Sequence, residues 1–273
     1  MLPEKRRALI MEMLHETKSI KNSDISTRFG VNSLTVRRDL DMLQQQGLIR
    51  RVYGGALLCE DAALQPGDPN KDSQEDGFDI LQGKVSAIAK EAAKLVREGD
   101  ILFLGNGVIV EEISKRLRRF SHLTIVTSSL PVVNQMINTS NAVYVLGGKL
   151  HHDEQNFSGN HALAMVKDFR ADKAFINGFF SVKHGVMSNF IPAAELGKLM
   201  IQNADVSVLV CGSGEMDQTG LYSVCPLSDL DLIIVDESLT PAQRKALEET
   251  GQNIKFVASG NEDEVSDLAA RCS

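Results

Sequence analysis

Apolar residues recur at helical spacing along the N-terminal part of the chain and predict three short helices, over 4–16, 21–29 and 33–46. A tight turn over 30–32 separates the second helix from the third, and Val31 within it is placed to pack between them. Two helices joined by such a turn are typical of the helix-turn-helix motif. The pattern therefore predicts a small helical unit at the start of the chain.

The third predicted helix, over 33–46, separates its apolar and polar residues onto different faces. Val36, Leu40 and Leu43 share the face that we expect to be buried, and Gly47 suits the left-handed end of a helix. Polar and basic residues stand near the helix N-terminus, where a recognition helix meets base edges and phosphates. Together with the residue suited to cap the helix, these are Asn32, Ser33, Thr35, Arg37 and Arg38. We expect them to contact DNA.

A short basic strand follows the third helix. Arg50, Arg51 and Tyr53 lie along it, and Gly54-Gly55 supplies its turn. A basic hairpin beside a recognition helix is typical of a winged helix-turn-helix, whose wing contacts the DNA backbone or the minor groove. We therefore add Arg50, Arg51 and Tyr53 to the expected DNA-binding residues and place the DNA-binding domain over residues 1–58.

The remainder of the chain alternates helices with almost wholly apolar strands. The predicted strands cover 101–105, 123–128, 142–148, 172–178, 206–212, 232–236 and 253–258. The predicted helices cover 84–97, 108–118, 131–137, 193–204 and 241–250. Strands without polar alternation are buried on both faces, so this order predicts an α/β domain with a mostly parallel, Rossmann-like sheet over residues 79–273.

An acidic linker is predicted between the two domains, over residues 59–78. Its first nineteen residues contain Pro66, Pro69 and six acidic residues against one lysine, a composition that is typical of linkers.

The charge of the chain is divided unevenly between its two ends. Residues 1–57 contain ten lysine and arginine residues against six acidic residues, a net charge of +4. Because the whole chain carries −7, the remainder carries −11. A basic head on an acidic body is consistent with DNA binding through the N-terminal domain alone.

Composition excludes several other classes of protein. There is no apolar run of 18 residues, and the amphipathic N-terminus differs from a signal peptide. The four cysteines are scattered without metal-binding spacing, which is typical of a reduced cytoplasmic protein. We therefore predict a cytoplasmic protein, nucleoid-associated when bound to DNA, with no membrane partner, no metal and no cofactor.

Glycine and hydroxyl residues follow four of the predicted strands. In a parallel sheet, ligands bind beyond the carboxyl ends of the strands, where glycine lets the backbone approach them. The expected effector-binding residues are Asn106, Gly107, Val108, Thr127, Ser128, Gly147, Gly148, Lys149, Ser213 and Glu215. Each loop alone could be a structural turn. Residues 151–154 (HHDE) are interpreted as a polar loop over this pocket rather than a metal site, and no catalytic residues are predicted.

The sequence VNSLTVRRDLDMLQQQGLIRRVYGGA resembles the signature of the DeoR family of bacterial transcriptional regulators, a TxRRDL helix followed by R-x-x-GGA. The resemblance covers nearly the whole chain. It implies a C-terminal sensor domain related to ribose-5-phosphate isomerase and the coenzyme A transferases, which binds a phosphorylated sugar and sets the oligomeric state. The expected function is therefore a repressor of a carbohydrate-metabolism operon that acts as a homo-oligomer, a dimer or a tetramer, on double-stranded operator DNA.

Two loops depart from the family pattern. Members commonly have D-x-G-T-T after the first sensor strand, where this chain has GNGVI at 105–109, and D-S-S-K-F where it has CGSGE at 211–215. The loss of a lysine and the gain of a carboxylate disfavour a doubly charged phosphate. The effector is expected to be a sugar phosphate or a related metabolite. A sensor that serves only oligomerisation and an enzyme of the isomerase or transferase type are the alternatives.

Overall fold

The computed structural model describes residues 3–31, 33–45, 48–52, 55–58, 72–152 and 154–258. The chain divides into two compact units, Met1–Asp79 and Ile80–Ser273. Among the residues described, no helix is both long and apolar enough to cross a membrane.

The first unit is a helix-turn-helix with a small antiparallel sheet. Its elements are α1 (Pro3–Thr17), β1 (Ser19–Lys21), α2 (Asn22–Phe29), α3 (Ser33–Gln45), β2 (Ile49–Val52) and β3 (Gly55–Leu58). The strands lie in the order β1-β3-β2. The sequence did not predict β1, because three residues are too few to show a strand period. The three predicted helices are confirmed.

The core of the first unit contains the residues that the helical spacing predicts. Val36, Leu40 and Leu43 of α3 are buried against residues of α1, α2 and the sheet. Val31 packs against this core from the turn, as predicted. The face of α3 that carries these three apolar residues is therefore the one that is turned inward.

The second unit is built on a seven-stranded sheet in which every neighbouring pair of strands is parallel. In the order β15-β14-β12-β9-β4-β5-β6, the strands are Ile254–Val257, Leu232–Asp236, Ala204–Cys211, Ala171–Ile176, Ile101–Leu104, Thr124–Thr127 and Ala142–Val145. The helices are α4 (Asp72–Ala93), α5 (Val108–Leu117), α6 (Leu130–Met136), α7 (Asn160–Lys167), α8 (Ile191–Gln202) and α9 (Pro241–Glu248). Buried apolar clusters line the sheet. The predicted α/β fold with a parallel sheet is confirmed.

Two small antiparallel sheets accompany the parallel one and were not predicted. A hairpin joins β7 (Lys149–His151) to β8 (Asn156–Ser158), and a second sheet has the order β10-β11-β13. Its strands are Phe179–Ser181, Gly185–Ser188 and Tyr222–Cys225. The prediction of a loop over 151–154 was wrong for His151, which ends β7, while Asp153 lies outside the described residues.

Helix α4 also differs from the prediction. It begins at Asp72, inside the stretch predicted as a linker, and ends at Ala93 rather than at 97. Its first residues, DSQED, are polar and lack the apolar period that indicates a helix. The rest of the predicted linker, 59–71, lies outside the described residues.

Candidate functional site

Helix α3 is fixed to α1 by a buried ion pair. Asp39 of α3 accepts a hydrogen bond from Arg6 Nε at 2.5 Å, and Arg7 Nη1 lies 3.6 Å from its other oxygen. The side chains of Arg6 and Asp39 are 7% and 3% exposed. An ion pair removed from water holds its partners strongly in place, since parting them leaves a buried charge. Asp39 therefore sets the position of α3. This structural role of Asp39 was not predicted from the sequence.

The turn between α2 and α3 is closed by local hydrogen bonds. Gly30 has a φ of 61°, the left-handed conformation that ends a helix. Ser26 Oγ donates to the carbonyl oxygen of Val31 at 2.6 Å, and the Val31 amide donates to the carbonyl oxygen of Ser26 at 3.2 Å. These bonds fix the angle at which α3 leaves the turn.

The residues predicted to bind DNA fall on two elements of the first unit. Helix α3 contains Ser33, Thr35, Arg37 and Arg38, and β2 contains Arg50 and Arg51. Thr35 is half-buried. Asn32 and Tyr53 lie outside the described residues, as do Gly47 and Gly54.

A cavity lies at the carboxyl edge of the parallel sheet in the second unit. Its floor comes from the ends of β4, β5 and β9, and its roof from β11, β13 and α8. About 40 Å³ of it is open to a molecule of the size of water, which is less than the usual volume of a small-molecule site. The lining residues are Gly105, Asn106, Ser128, Ile176, Asn177, Ser188, Ala193, Leu196, Gly197, Met200 and Val224.

Two polar atoms on the lining residues are buried without a hydrogen-bond partner in the described part of the chain. They are Asn106 Oδ1 and Ser128 Oγ. A buried polar atom that makes no hydrogen bond is destabilising, typically by about 1–3 kcal/mol. A bound molecule, water included, that supplies the missing partners would recover this free energy, so the cavity is a candidate binding site.

Asn177 joins three strand ends around the cavity. Its Nδ2 donates to the Val210 carbonyl oxygen at 2.9 Å and lies 3.2 and 3.3 Å from the two carboxylate oxygens of Glu215. Glu215 in turn accepts from the Gly212 amide at 2.7 Å. A Cβ at Gly107, whose φ is 116°, would lie only 2.7 Å from Asn177 Oδ1. Glycine at 107 is therefore required both by the backbone conformation and by the Asn177 side chain.

A second carboxylate network lies beside this one, at the end of β14. Asp236 accepts from the Ser213 amide at 2.5 Å and from the Ser213 hydroxyl at 3.0 Å, and Lys84 Nζ of α4 lies 3.2 Å away. Burial alone raises the pKa of Asp236. The hydrogen bonds from Ser213, Ser238 and Lys84 outweigh burial and hold that pKa below its ordinary value. Asp236 is thus an ionised structural group.

Burial, together with the carboxylates of Glu215 and Asp236, raises the pKa of the Cys211 thiol well above its ordinary value. A neutral thiol is a poor nucleophile, so Cys211 has a packing role.

The predicted effector-binding residues divide into those that line the cavity and those that do not. Asn106 and Ser128 line it. Thr127 is buried beneath it, where its hydroxyl donates to the Leu104 carbonyl oxygen at 2.7 Å. Ser213 and Glu215 belong to the two carboxylate networks. Outside the lining lie Gly107, Val108, Gly147, Gly148 and Lys149.

The residues of the roof were not predicted to bind the effector, and neither was Asn177. Asn177 directly follows the apolar strand β9, and a polar residue at that point was the available signal. Ser188 gave no such signal, because the short strand β11 was not predicted. A helix was predicted over 193–204, but its residues were not assigned to the cavity. No cluster of metal-ligating side chains occurs among the described residues.

Two family profiles match the chain. A profile described as a DeoR-like helix-turn-helix domain matches residues 6–62, and one described as a DeoR C terminal sensor domain matches residues 82–237.

Similar full-length proteins come from several bacteria. The HTH-type transcriptional regulator YulB of Bacillus subtilis, itself uncharacterised, is 30% identical over 91% of this chain and 95% of its own length. The lactose phosphotransferase system repressor of Staphylococcus aureus is 28% identical over 83% of this chain and 89% of its own. Among solved structures, a D-ribose-5-phosphate isomerase is 15% identical with a TM-score of 0.36, covering 48% of this chain and 52% of its own. That likeness is too low to support an argument.

Proposed function

Because the chain belongs to the DeoR family, with its helix-turn-helix and sensor domains in that order, we propose that it is a transcriptional repressor of a carbohydrate-metabolism operon. It binds operator DNA through the first unit and a small effector, a sugar phosphate or a related metabolite, through the second. The lactose phosphotransferase system repressor among its relatives supports the carbohydrate context. This role belongs to the cytoplasm, where the operator is.

The observation that carries the DNA-binding part is the placement of α3. Val36, Leu40 and Leu43 are buried and Asp39 fixes the helix to α1, which supports our proposal that other residues of α3, Ser33, Thr35, Arg37 and Arg38 among them, enter the major groove. Arg50 and Arg51 of β2 supply the wing. The net charge of +4 over residues 1–57 favours the approach to DNA.

The cavity supports the effector-binding part. It lies at the sheet edge where α/β domains bind ligands, and two polar atoms of its lining have no hydrogen-bond partner among the described residues. The described lining contains no titratable side chain, so it offers no general acid or base and favours sensing over catalysis. We propose that the protein acts as a homo-oligomer, a dimer or a tetramer, and that the effector changes the subunit arrangement and hence the spacing of half-sites on the operator.

The first experiment measures binding of the purified chain to a labelled duplex from its own upstream region by fluorescence anisotropy, against a shuffled duplex. We expect tighter binding to the upstream duplex, and weaker binding to both as salt rises from about 50 to about 200 mM. Equal affinity for the two duplexes would overturn the proposed function.

The variants Arg37→Ala and Arg38→Ala test the recognition helix. Removing an arginine that contacts a base should weaken binding by about 1–3 kcal/mol and relax the sequence specificity. Removing one that contacts a phosphate should weaken binding to both duplexes and lower the slope of log affinity against log salt by about 1. Lys245→Ala is the control, since it removes an exposed positive charge from the second unit. Wild-type affinity and specificity in both arginine variants would place the DNA contacts elsewhere.

A further inference from the structure

We propose that two copies of the chain associate by pairing strand β6 with the same strand of the partner, antiparallel about a two-fold axis. The proposal rests on the proposed function, in which the protein acts as a homo-oligomer, and it assigns the contact between the second units. Strand β6 (Ala142–Val145) lies at one edge of the parallel sheet, and β5 is the one strand that pairs with it among the described residues.

The open edge of β6 presents main-chain groups that can pair with another strand. The amides of Ala142 and Leu146 donate hydrogen bonds towards β5, at 2.9 and 2.8 Å. Because successive residues of a strand turn their main-chain groups to opposite sides, the N–H and C=O groups of Val143 and Val145 face away from β5. Such an edge is a template for a further strand, and proteins usually protect it with charged residues, with proline or with a covering segment.

The two edges of the parallel sheet are protected differently. Strand β15, at the other edge, contains Lys255, whose Nζ lies 3.6 Å from Glu91 Oε1. Arg244 lies over the ring of Phe256 in the same strand, with its Cζ 4.2 Å from the ring centroid. Strand β6, with the sequence AVYV, contains neither a charged residue nor a proline. Positive charge therefore discourages pairing at β15, while β6 lacks this protection.

The surface around β6 is apolar and uncharged. Tyr144, within the strand, is 46% exposed, and Ile137, at the end of α6, is 67% exposed. No lysine, arginine, aspartate or glutamate occurs between Arg119 and Lys149, the longest such stretch of the chain, and α6 and β6 both lie within it. The chain from residue 58 onwards carries a net charge of −11, so two copies repel each other least where such charges are absent.

Antiparallel pairing about an axis at Tyr144 satisfies the outward main-chain groups of β6. Val143 of each copy would exchange its N–H and C=O hydrogen bonds with the partner's Val145. Tyr144 would lie opposite the partner's Tyr144 as a non-hydrogen-bonded pair, with Cα atoms about 4.5 Å apart. In a two-fold contact each patch meets its own copy, so a charged patch would repel itself. The uncharged edge of β6 avoids this repulsion, which favours a second copy of the chain as its partner.

A disulfide between copies tests the position of the axis. The full-length chain carries Cys59→Ser and Cys272→Ser, so that its remaining native cysteines, Cys211 and Cys225, are buried. Tyr144→Cys in this background would place the two new cysteines within the Cα separation of a disulfide, about 4.4–6.8 Å. We expect mild oxidation to convert most of this variant into a covalent dimer on a non-reducing gel.

Tyr222→Cys is the matched control for the disulfide. Tyr222 is 44% exposed, almost as much as Tyr144, and lies on β13, an edge strand of a small antiparallel sheet. We expect this variant to run as a monomer after the same oxidation. A covalent dimer from Tyr222→Cys and none from Tyr144→Cys would place the contact on the other sheet and overturn the proposal.

A lysine at the same position tests whether the contact drives association. Tyr144→Lys replaces an aromatic pair with like charges directly opposite each other, so sedimentation equilibrium should show self-association weakened by about tenfold. Tyr222→Lys should leave self-association unchanged. The Tyr144 ring lies 5.1 Å from the ring of Phe169, so Tyr144→Phe, which keeps that packing, should associate as the wild type does. Wild-type association in Tyr144→Lys, or a wild-type protein that sediments as a monomer, would reject the β6 contact.

The outcomes separate this proposal from the proposed function. Specific binding to the upstream duplex by a protein whose Tyr144→Cys variant forms no covalent dimer would keep the repressor and reject the β6 contact. A covalent dimer through Tyr144→Cys, combined with equal affinity for the upstream and shuffled duplexes, would reject the repressor and keep the contact.

Discussion

Asp236 shows how one residue can combine complete burial with a charge. Its side chain is inaccessible to solvent, yet hydrogen bonds from Ser213, Ser238 and Lys84 favour the carboxylate so strongly that its pKa falls below the ordinary value. The same bonds hold the 212–215 turn against β14 and bring Glu215 up to Asn177. Asp236 therefore supports the cavity without lining it.

The lowered pKa of Asp236 implies a pH-dependent contribution to stability. A carboxyl group whose folded pKa is depressed stabilises the fold fully at pH values above its unfolded pKa, about 3.9 for aspartate, and loses that contribution as the pH falls through its folded pKa. We expect Asp236→Asn to destabilise the protein at pH 7 by about 3–5 kcal/mol, because it breaks a buried ion pair. Urea unfolding should show the difference from wild type shrinking below about pH 4. A difference that stays constant down to pH 3 would contradict this account.

Residues differed in how far their roles could be read from the sequence. Asn106 was predicted to bind the effector because it stands in a glycine-rich turn after an apolar strand. Asp39 was not, since its partners Arg6 and Arg7 lie on a separate helix and ion pairs between elements leave no local pattern. Ser213 and Glu215 were correctly placed at a strand end, but their side chains are engaged with Asp236 and Asn177. The sequence shows the position of a side chain along the chain and not its partner in space.

Helix α8 forms much of the roof of the cavity. Ala193 and Gly197 stand one turn apart on the side that lines the cavity, and both are small. A glycine inside a helix is destabilising by roughly 0.5–1 kcal/mol relative to alanine. A Cβ at Gly197 would lie 3.5 Å from Val224 Cγ1, an ordinary contact, so sterics do not require glycine there. If the cavity binds an effector as we propose, glycine at this position leaves it more space than alanine would.

The variant Gly197→Ala separates helix stability from the volume of the cavity. We expect it to stabilise the unliganded protein by about 0.5–1 kcal/mol, because alanine favours the helix. It should also weaken ligand binding, because the added methyl group occupies the cavity. Thermal unfolding measures the first effect, and calorimetry with sugar phosphates and related metabolites measures the second. The control is Gly214→Ala, whose Cβ would meet no atom within 4 Å. Improved stability with unchanged affinity would show that the ligand does not reach α8.

The strands of the parallel sheet were predictable from the sequence, and the short strands outside it were not. The seven strands of the parallel sheet were all predicted, because runs of buried apolar residues are visible along the chain. The strands β7, β8, β10, β11 and β13 contain three or four residues each and were not. Part of the roof of the cavity comes from these short strands. The sequence therefore predicted one wall of the cavity, and of the opposite wall it predicted helix α8 without assigning that helix to the cavity.

At the scale of the whole molecule, each unit has a hydrophobic core of its own. The first contains Ile10, Leu14 and Leu40, and the second contains three clusters on and around the parallel sheet. Each unit also has its own buried ion pair, Asp39 with Arg6 and Asp236 with Lys84. The charge is divided in the same way, with +4 over residues 1–57 and −11 over the remainder of a chain that carries −7. Each unit thus has its own core and its own buried ion pair, and the two ends of the chain differ in the sign of their charge.

Two separate cores predict two unfolding transitions, because a domain that buries its own apolar surface unfolds cooperatively as a unit. Differential scanning calorimetry of the full chain should resolve them. Asp39→Asn should lower only the free energy of unfolding of the first unit, by about 3–5 kcal/mol, because it leaves Arg6 buried without its full countercharge. Asp236→Asn should lower only the free energy of unfolding of the second unit, and the effector at about 100 times its dissociation constant should raise that free energy alone by about 2.7 kcal/mol. A single transition lowered by both variants would instead show that the two units unfold together, and binding in the cavity would then stabilise the DNA-binding unit directly.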